Sequence, residues 1–189
     1  MGTTTIYLIR HAESVYAEGR ERSRGLSEQG QRDAMRIKFI MQDTLIDRLV
    51  SSPYERAIAT VRPLAGERHK EIVTIEDLRE RAIGNIKDVS FFEAKRRVYQ
   101  DFNFAFAGGE SSAEAQARGV KELLTLLTEH KGKSIAVGTH GDIMTLMMNY
   151  FDPGYDFEFW QSTSMPDIYR LVFEGYQLKA VTRLWNPKR

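Results

Sequence analysis

The chain has 189 residues, 42% of them hydrophobic and 28% charged, a length and balance that suit one domain with a sizeable buried core. Lysine and arginine number 27 against 26 aspartate and glutamate, so a net charge of +1 gives no global attraction to nucleic acid or to an anionic membrane, and any anion site must be local. Cysteine is absent, which excludes disulfides, thiol catalysis and thiolate metal sites and is compatible with a reducing cytoplasm.

Ile6 to Ile9 is an apolar run without helical spacing that stops at Arg10 and His11, as a buried strand does where its carboxyl end opens onto a site. Arginine supplies a planar fork of donors for a phosphate and neutral histidine supplies a nucleophile, so this pair is a candidate phosphate site. A strand-end histidine is also an ordinary hydrogen-bonded structural residue, and the pair therefore needs partners elsewhere. The strand begins within a few residues of Met1, so no leader is expected, and no apolar run reaches the roughly 18 residues of a membrane span. A cytoplasmic location is expected.

Val15 to Gly25 carries Glu18, Arg20, Glu21, Arg22 and Arg24 among small residues and is expected to be a surface loop. Ser27 has the character of an N-cap for a helix whose apolar stripe is Ala34, Ile37 and Ile40 or Met41. Asp47 to Ser52 predicts a short strand around Leu49-Val50, with Ser52 capping the next helix and Pro53 in its first turn. Arg56 then falls at the opening of a helix through Ala57, Ile58, Val61 and Leu64, where unpaired amides and the helix dipole favour anions. Glu71 to Ile75 is a third candidate strand, and Glu76 to Gly84 a charged loop containing Glu80.

Ser90 to Phe106 is aromatic and basic by turns and predicts a helix that gives way to a flexible loop at Gly108-Gly109, together a small lid over about residues 85–110. Ser111 and Glu114 have capping-box spacing ahead of a helix with Ala117, Val120, Leu123, Leu124 and Leu127 on its buried stripe, ending near Lys131-Gly132. Ser134 to Thr139 reads as a second buried strand ending in a histidine, His140, followed by Gly141 and a buried helix over Ile143 to Phe151. Glycine after a strand-end histidine permits close backbone approach. Ile168 to Phe173 and Tyr176 to Val181 flank Glu174-Gly175 as an antiparallel hairpin. Strands alternating with helices predict an α/β fold: a three-layer α/β/α sandwich around a mixed, mostly parallel sheet with a C-terminal antiparallel hairpin, as a single domain over residues 1–189.

Six short stretches, in order, resemble the histidine phosphatase superfamily, also called the phosphoglycerate mutase-like family. They are Leu8-Ile9-Arg10-His11-Ala12-Glu13-Ser14, Leu26-Ser27-Glu28-Gln29-Gly30-Gln31, Ser51-Ser52-Pro53-Tyr54-Glu55-Arg56-Ala57, Leu78-Arg79-Glu80, Gly109-Glu110-Ser111 and Thr139-His140-Gly141. The resemblance implies that His11 attacks phosphorus and becomes phosphohistidine. Arg10, Arg56 and His140 would clamp the phosphoryl oxygens, with Ser14 a further hydroxyl donor and Gly141 part of the phosphate cradle. Glu80 would protonate the leaving alcohol and later activate water. Guanidinium groups and a donor imidazole suit charge spread over a phosphoryl group in flight. His11 should then be neutral while His140 serves as a donor, so the two histidines are expected to differ in protonation preference.

No metal and no cofactor are implied, and His69 and His130 stand alone among Lys, Arg and Glu. Glu76, Asp77 and Glu110 lie in loops comparable to that of Glu80 and are its bland competitors. Ala12 stands where the family commonly has Gly, a change a tight turn tolerates at negative φ, and Ala17 where it often has Asn. Ala82-Ile83-Gly84-Asn85 replaces the usual continuation after Glu80.

The modest segment between Glu80 and Glu110 favours hydrolysis over transfer, since a short lid admits water. The expected activity is that of a metal-independent phosphomonoester hydrolase of small phosphorylated metabolites, extending to broad specificity, with a phosphomonoester as substrate and phosphate as product. The alternatives are a phosphoglycerate mutase, a protein phosphohistidine phosphatase and a phosphate-ligand binding module without turnover. Arg96-Arg97 resembles a basic pair of mutase lids that holds a substrate's acidic end, but a solvated helix face is the commoner fate of such a pair. The lid aromatics suit either a substrate pocket or plain core. Substrate identity and oligomeric state are open at this level.

Overall fold

The computed structural model describes residues 2–187. Its strands are β1 (Thr4–Arg10), β2 (Arg48–Ser51), β3 (Val73–Thr74), β4 (Ser134–Thr139), β5 (Asp167–Glu174) and β6 (Gln177–Arg183), forming one sheet in the order β3-β2-β4-β1-β5-β6. β1 pairs with β4, β4 with β2 and β2 with β3 in parallel, whereas β5 is antiparallel to both β1 and β6. The mixed sheet and the terminal hairpin are as expected.

The unbroken apolar run of β1 has a simple cause: helices cover both faces, so alternate residues all meet core. Ile6 and Leu8, with Ile135 and Val137 of β4, face one cluster with α4 (Ser112–Glu129) and α5 (Gly141–Phe151). Tyr7 and Ile9, with Ala136, face the other cluster with α1 (Glu28–Ile40) and α2 (Glu55–Glu67). The remaining helices, α3 (Phe91–Gln100) and α6 (Phe157–Ser162), lie beside each other. Phe102, Phe104 and Phe106 pack back on the α4/α5 cluster, so the lid aromatics serve largely as core.

Local signals set most element ends. Ser27 Oγ accepts from Gly30 N at 3.0 Å, and Ser111 and Glu114 form both bonds of a capping box. Four expectations fail. Ser52 and Pro53 precede α2, whose N-cap is Tyr54 with no side-chain bond; the Ser52 hydroxyl lies 2.7 Å from His140 Nε2 and accepts from Tyr54 N at 3.3 Å, short of the first turn. The third strand shrinks to two residues, since only Val50 and Ser51 of β2 offer it a ladder. On α4, Ala117 is exposed and Ala115, Gly119 and Leu126 join the buried stripe, a rotation that seats Gly119 against Ile143.

The fourth concerns Gly108-Gly109, which is no loose hinge. A Cβ on Gly109 would lie 2.5 Å from the carbonyl of Ile83, and Glu110 N donates to Ala82 O while Asn85 N donates to Ala107 O. Residues 82–85 and 107–110 thus run side by side. Among the described residues no helix is long and apolar enough to cross a membrane.

Candidate active site

Parallel register brings the two histidines together. Arg10 pairs with Thr139 and Ser51 with Gly138, so three strands end level, and His11 N donates to Thr139 O across that edge at 2.9 Å. The rings of His11 and His140 meet edge to face with centroids 5.2 Å apart. His11 Nδ1 lies 2.7 Å from the carbonyl oxygen of Ala12, which only accepts, so Nδ1 carries the proton and Nε2 the lone pair. Burial, reinforced by the Arg56 cation, lowers His11 to about 3. The imidazole is therefore neutral at physiological pH, with its attacking nitrogen turned to Arg56.

Arg56, 1% exposed at the start of α2, donates from Nε to His11 Nε2 at 3.2 Å. Its other nitrogens reach the Glu21 carbonyl at 2.5 Å and the Glu21 carboxylate at 2.8 Å. Arg24 meets the same carboxylate oxygen at 3.1 Å. Glu21, in the polar loop before α1, is thus a built-in anion in the Arg56 fork. Arg10 donates to Thr163 through Nη1, while its Nε is buried without a hydrogen-bond partner. A Cβ on Gly141 would lie 2.9 Å from Cζ of Arg10, so this glycine admits the guanidinium against the start of α5. Ala12 has no positive φ and is buried, its N–H donating to Thr60 Oγ1 at 2.9 Å, so alanine fits the tight turn.

His140 is wholly buried, with Nε2 2.7 Å from Ser52 Oγ and Nδ1 without a partner. Burial, followed by His11 and the arginines, pushes it well below the ordinary imidazole value. The expected contrast between the histidines is therefore absent: both are held neutral, and His140 has a single ring proton to donate.

Glu80 is half-buried and set apart from its competitors. Its Oε1 accepts from Arg81 N at 3.0 Å and Ile143 N at 2.9 Å, and its Oε2 from Asp142 N at 3.1 Å. It therefore fills the open donors at the start of α5, one residue beyond His140 and Gly141. Its charge opposes the loss of positive charge at both Arg10 and Arg56. The competitors are engaged elsewhere: Glu76 with exposed Arg22, Asp77 with Arg79, and Glu110 in a two-point pair with Arg118 at 2.6 and 2.8 Å. Arg118 also donates to the carbonyls of Asp77 and Arg79 at 2.7 Å each, fixing the chain that leads into Glu80.

Beside Glu80 lies a buried polar cluster. Asp142 Oδ2 accepts from Arg81 Nε at 3.2 Å and Nη2 at 3.0 Å and pairs with Lys95, and Tyr99 OH donates to Oδ1 at 3.1 Å. Burial would raise the Asp142 carboxyl, but the Lys95 and Arg81 cations beside it hold it below its ordinary value.

Ser14 lies half-buried in a bridge with Leu26, and Glu13 accepts from Ser27 Oγ at 2.6 Å, so this stretch is braced by the loop before α1. Arg96 and Arg97 stand over aromatic rings, Arg97 4.0 Å from the centroid of Phe104, rather than joining the site. Reasoning from the sequence assigned no role to Glu21, Arg81, Lys95 or Thr163, and cast Ser52 as a helix cap rather than as a partner of His140. Only Asp142 carries a local signal, as the one acidic side chain in a helix otherwise apolar or small through Met148.

The family described as histidine phosphatase superfamily (branch 1) matches residues 6–187. Phosphoglycerate mutase-like protein 4 of Arabidopsis thaliana is 28% identical over an alignment covering 74% of this chain and 67% of that protein. A metal-independent phosphoserine phosphatase of Arabidopsis thaliana is 26% identical, covering 75% and 66%. The chain thus spans about two thirds of the length of these curated relatives. A solved phosphoserine phosphatase from Entamoeba histolytica, in complex with 3-phosphoglyceric acid, superposes with a TM-score of 0.79 at 19% identity, over 97% of this chain and 98% of that one.

Proposed function

The chain belongs to the histidine phosphatase superfamily, and from that premise we propose that it hydrolyses phosphomonoesters of small metabolites through a phosphohistidine on His11, without a metal. One observation carries this reading: a buried, neutral His11 whose Nδ1 is bound to a carbonyl and whose Nε2 faces the Arg56 guanidinium.

On binding, the phosphoryl oxygens take over the Arg56 donors from Glu21 and His11, and meet Arg10 and the His140 N–H. Ser14 and Gly141 complete the cradle. The lone pair of Nε2, freed from Arg56, attacks phosphorus in line with the ester oxygen; the N–P bond forms as the P–O bond breaks. Glu80, charged in the resting site, takes up a proton as the phosphomonoester enters and gives it to the departing alkoxide. In the second step Glu80 takes a proton from water, whose oxygen attacks phosphorus and returns the electron pair to Nε2 as phosphate leaves. The guanidinium groups supply the fixed positive charge that the equatorial oxygens need.

The name of the metal-independent phosphoserine phosphatase supports hydrolysis without a metal. The name of the phosphoglycerate mutase-like relative raises transfer as the second reading. Arg96 and Arg97 are exposed and stand over Phe92 and Phe104, with no contact to the described residues around His11, which favours hydrolysis. A protein phosphohistidine or a bound, unreacted phosphate ligand would meet the same clamp. A half-buried Glu80 aimed at the helix start beside it is what turnover of alkyl esters adds.

The test is phosphate release from p-nitrophenyl phosphate and 3-phosphoglycerate in the presence of chelator. Wild type should release phosphate, His11→Ala none, and Arg56→Ala about 10²- to 10³-fold less, as for loss of one transition-state donor. No release by wild type, or undiminished release by His11→Ala, overturns the proposal.

A further inference from the structure

Glu80 is held by the backbone of two residues that are themselves tied by their side chains. The N–H groups of Arg81 and Asp142 both donate to its carboxylate, at 3.0 and 3.1 Å, although the two residues are 61 positions apart in sequence. Their side chains pair at 3.2 and 3.0 Å with no exposed surface on either. The result is a small closed ring: acid, backbone of Arg81, guanidinium, Asp142 carboxylate, backbone of Asp142, acid.

The ring, which includes Asp142 of α5, is anchored from two further helices. Arg81 Nη1 donates to Ser112 Oγ on α4 at 2.8 Å, and Ser112 Oγ in turn donates to the Val98 carbonyl of α3. From α3 also come Lys95 and Tyr99, both converging on the Asp142 carboxylate. Buried ion pairs are weak contributors to net stability, because desolvation cancels much of the attraction and apolar replacements often do as well. Two cations, a carboxylate and a phenol gathered at the carboxylate that must meet the leaving oxygen are better explained by geometry, since a misplacement of about 1 Å at a reacting group costs on the order of 10²-fold in rate.

We infer that Arg81 and Asp142 are positioning residues for Glu80, and that Lys95 and Tyr99 make the placement of this acid depend on where the lid helix α3 sits. The inference rests on the reading of Glu80 as the proton donor. With α3 docked, the Asp142 carboxylate has its full set of partners, and Arg81 and the start of α5 present their N–H groups to Glu80 in one arrangement. If α3 shifts, Arg81 and Asp142 lose the contacts that fix that arrangement. The proton is then delivered only over the docked lid.

The experiment compares kcat/KM for p-nitrophenyl phosphate, whose leaving group departs without a proton, with kcat/KM for an alkyl phosphate that the wild type hydrolyses, whose alkoxide needs one. The ratio of the two is independent of the folded fraction, which matters because each replacement leaves buried polar groups short of a partner. Asp142→Asn and Arg81→Lys should lower the alkyl phosphate reaction about tenfold more than the p-nitrophenyl phosphate reaction, with Tyr99→Phe smaller in the same direction and Glu80→Gln at least as discriminating. If Asp142→Asn does not accumulate as folded protein, the same ratio measured for Arg81→Lys and Tyr99→Phe decides. Equal losses on both substrates in these variants, alongside discrimination by Glu80→Gln, overturn the positioning role while leaving the acid in place. Failure of Glu80→Gln to discriminate overturns the acid assignment and the positioning role with it.

Discussion

Acidification from pH 7 to pH 5 should cost the protein about 2 kcal/mol of stability through His11 alone. Burial and the neighbouring Arg56 hold this imidazole at about 3 in the folded chain, against about 6.5 when exposed. The unfolded chain therefore takes up the proton first. The stability tied to a depressed histidine is intact above the unfolded value and is lost as pH falls through the window down to the folded value. Within that window each pH unit is worth about 1.4 kcal/mol, and the stretch from 6.5 to 5 gives about 2 kcal/mol. His140, driven in the same direction by its burial, adds in the same sense. The assay is urea unfolding of wild type and His11→Gln at both pH values. Carboxylates titrate equally in the two proteins, so wild type should lose about 2 kcal/mol more than the variant on acidification. Equal acid sensitivity would refute the claim that His11 is held neutral by burial.

Other outcomes follow from particular contacts. Glu21 occupies the Arg56 fork but is half-exposed, so Glu21→Gln should remove about 1 kcal/mol of competition. Inhibition by inorganic phosphate should then tighten about fivefold; unchanged inhibition would show that the carboxylate does not compete. Gly141→Ala places a Cβ 2.9 Å from the Arg10 guanidinium, the far end of a flexible chain. Melting should change little while turnover falls on the order of 10²-fold. Gly84 sits at φ +86° with a would-be Cβ 2.7 Å from the backbone of Gly109. Gly84→Ala should therefore destabilise by at least ~2 kcal/mol in thermal unfolding.

What the sequence made legible was mostly local. Ser27 and Ser111 announce helix starts through hydroxyls that reach only three residues ahead. The unbroken apolar run of β1 announces a strand covered on both faces. His11 and His140 end two such strands, and the sheet needed only the right neighbour and register to join them. Arg56 emerged from its Ser-Ser-Pro context, although Ser52 proved to be a partner for His140 rather than a cap. The flexible Gly108-Gly109 was misread because glycine signals both freedom and close approach, and only the partner strand of backbone at Ile83-Gly84 decides between them.

The rest is tertiary. Glu21 looks like any solvated loop carboxylate until α2 delivers Arg56 to it, and Arg81 looks like one more charge in a charged loop until Asp142 arrives from the far end of the chain. Ala117 fits a helical stripe as well as Ala115 does, and the choice between them is made by which face meets α5. Periodicity locates an element but not the angle at which a neighbour approaches it.

The central claim is that His11 Nε2 carries the phosphoryl group. Wild type and His11→Ala are mixed with a phosphomonoester labelled in its phosphorus, quenched in alkali within a turnover, and the chain is assayed for bound label. The account predicts label on wild type that survives alkali and is lost in acid, mapped to His11, and none on His11→Ala. Steady phosphate release by wild type with no label on the chain, or label on any other residue, would contradict it.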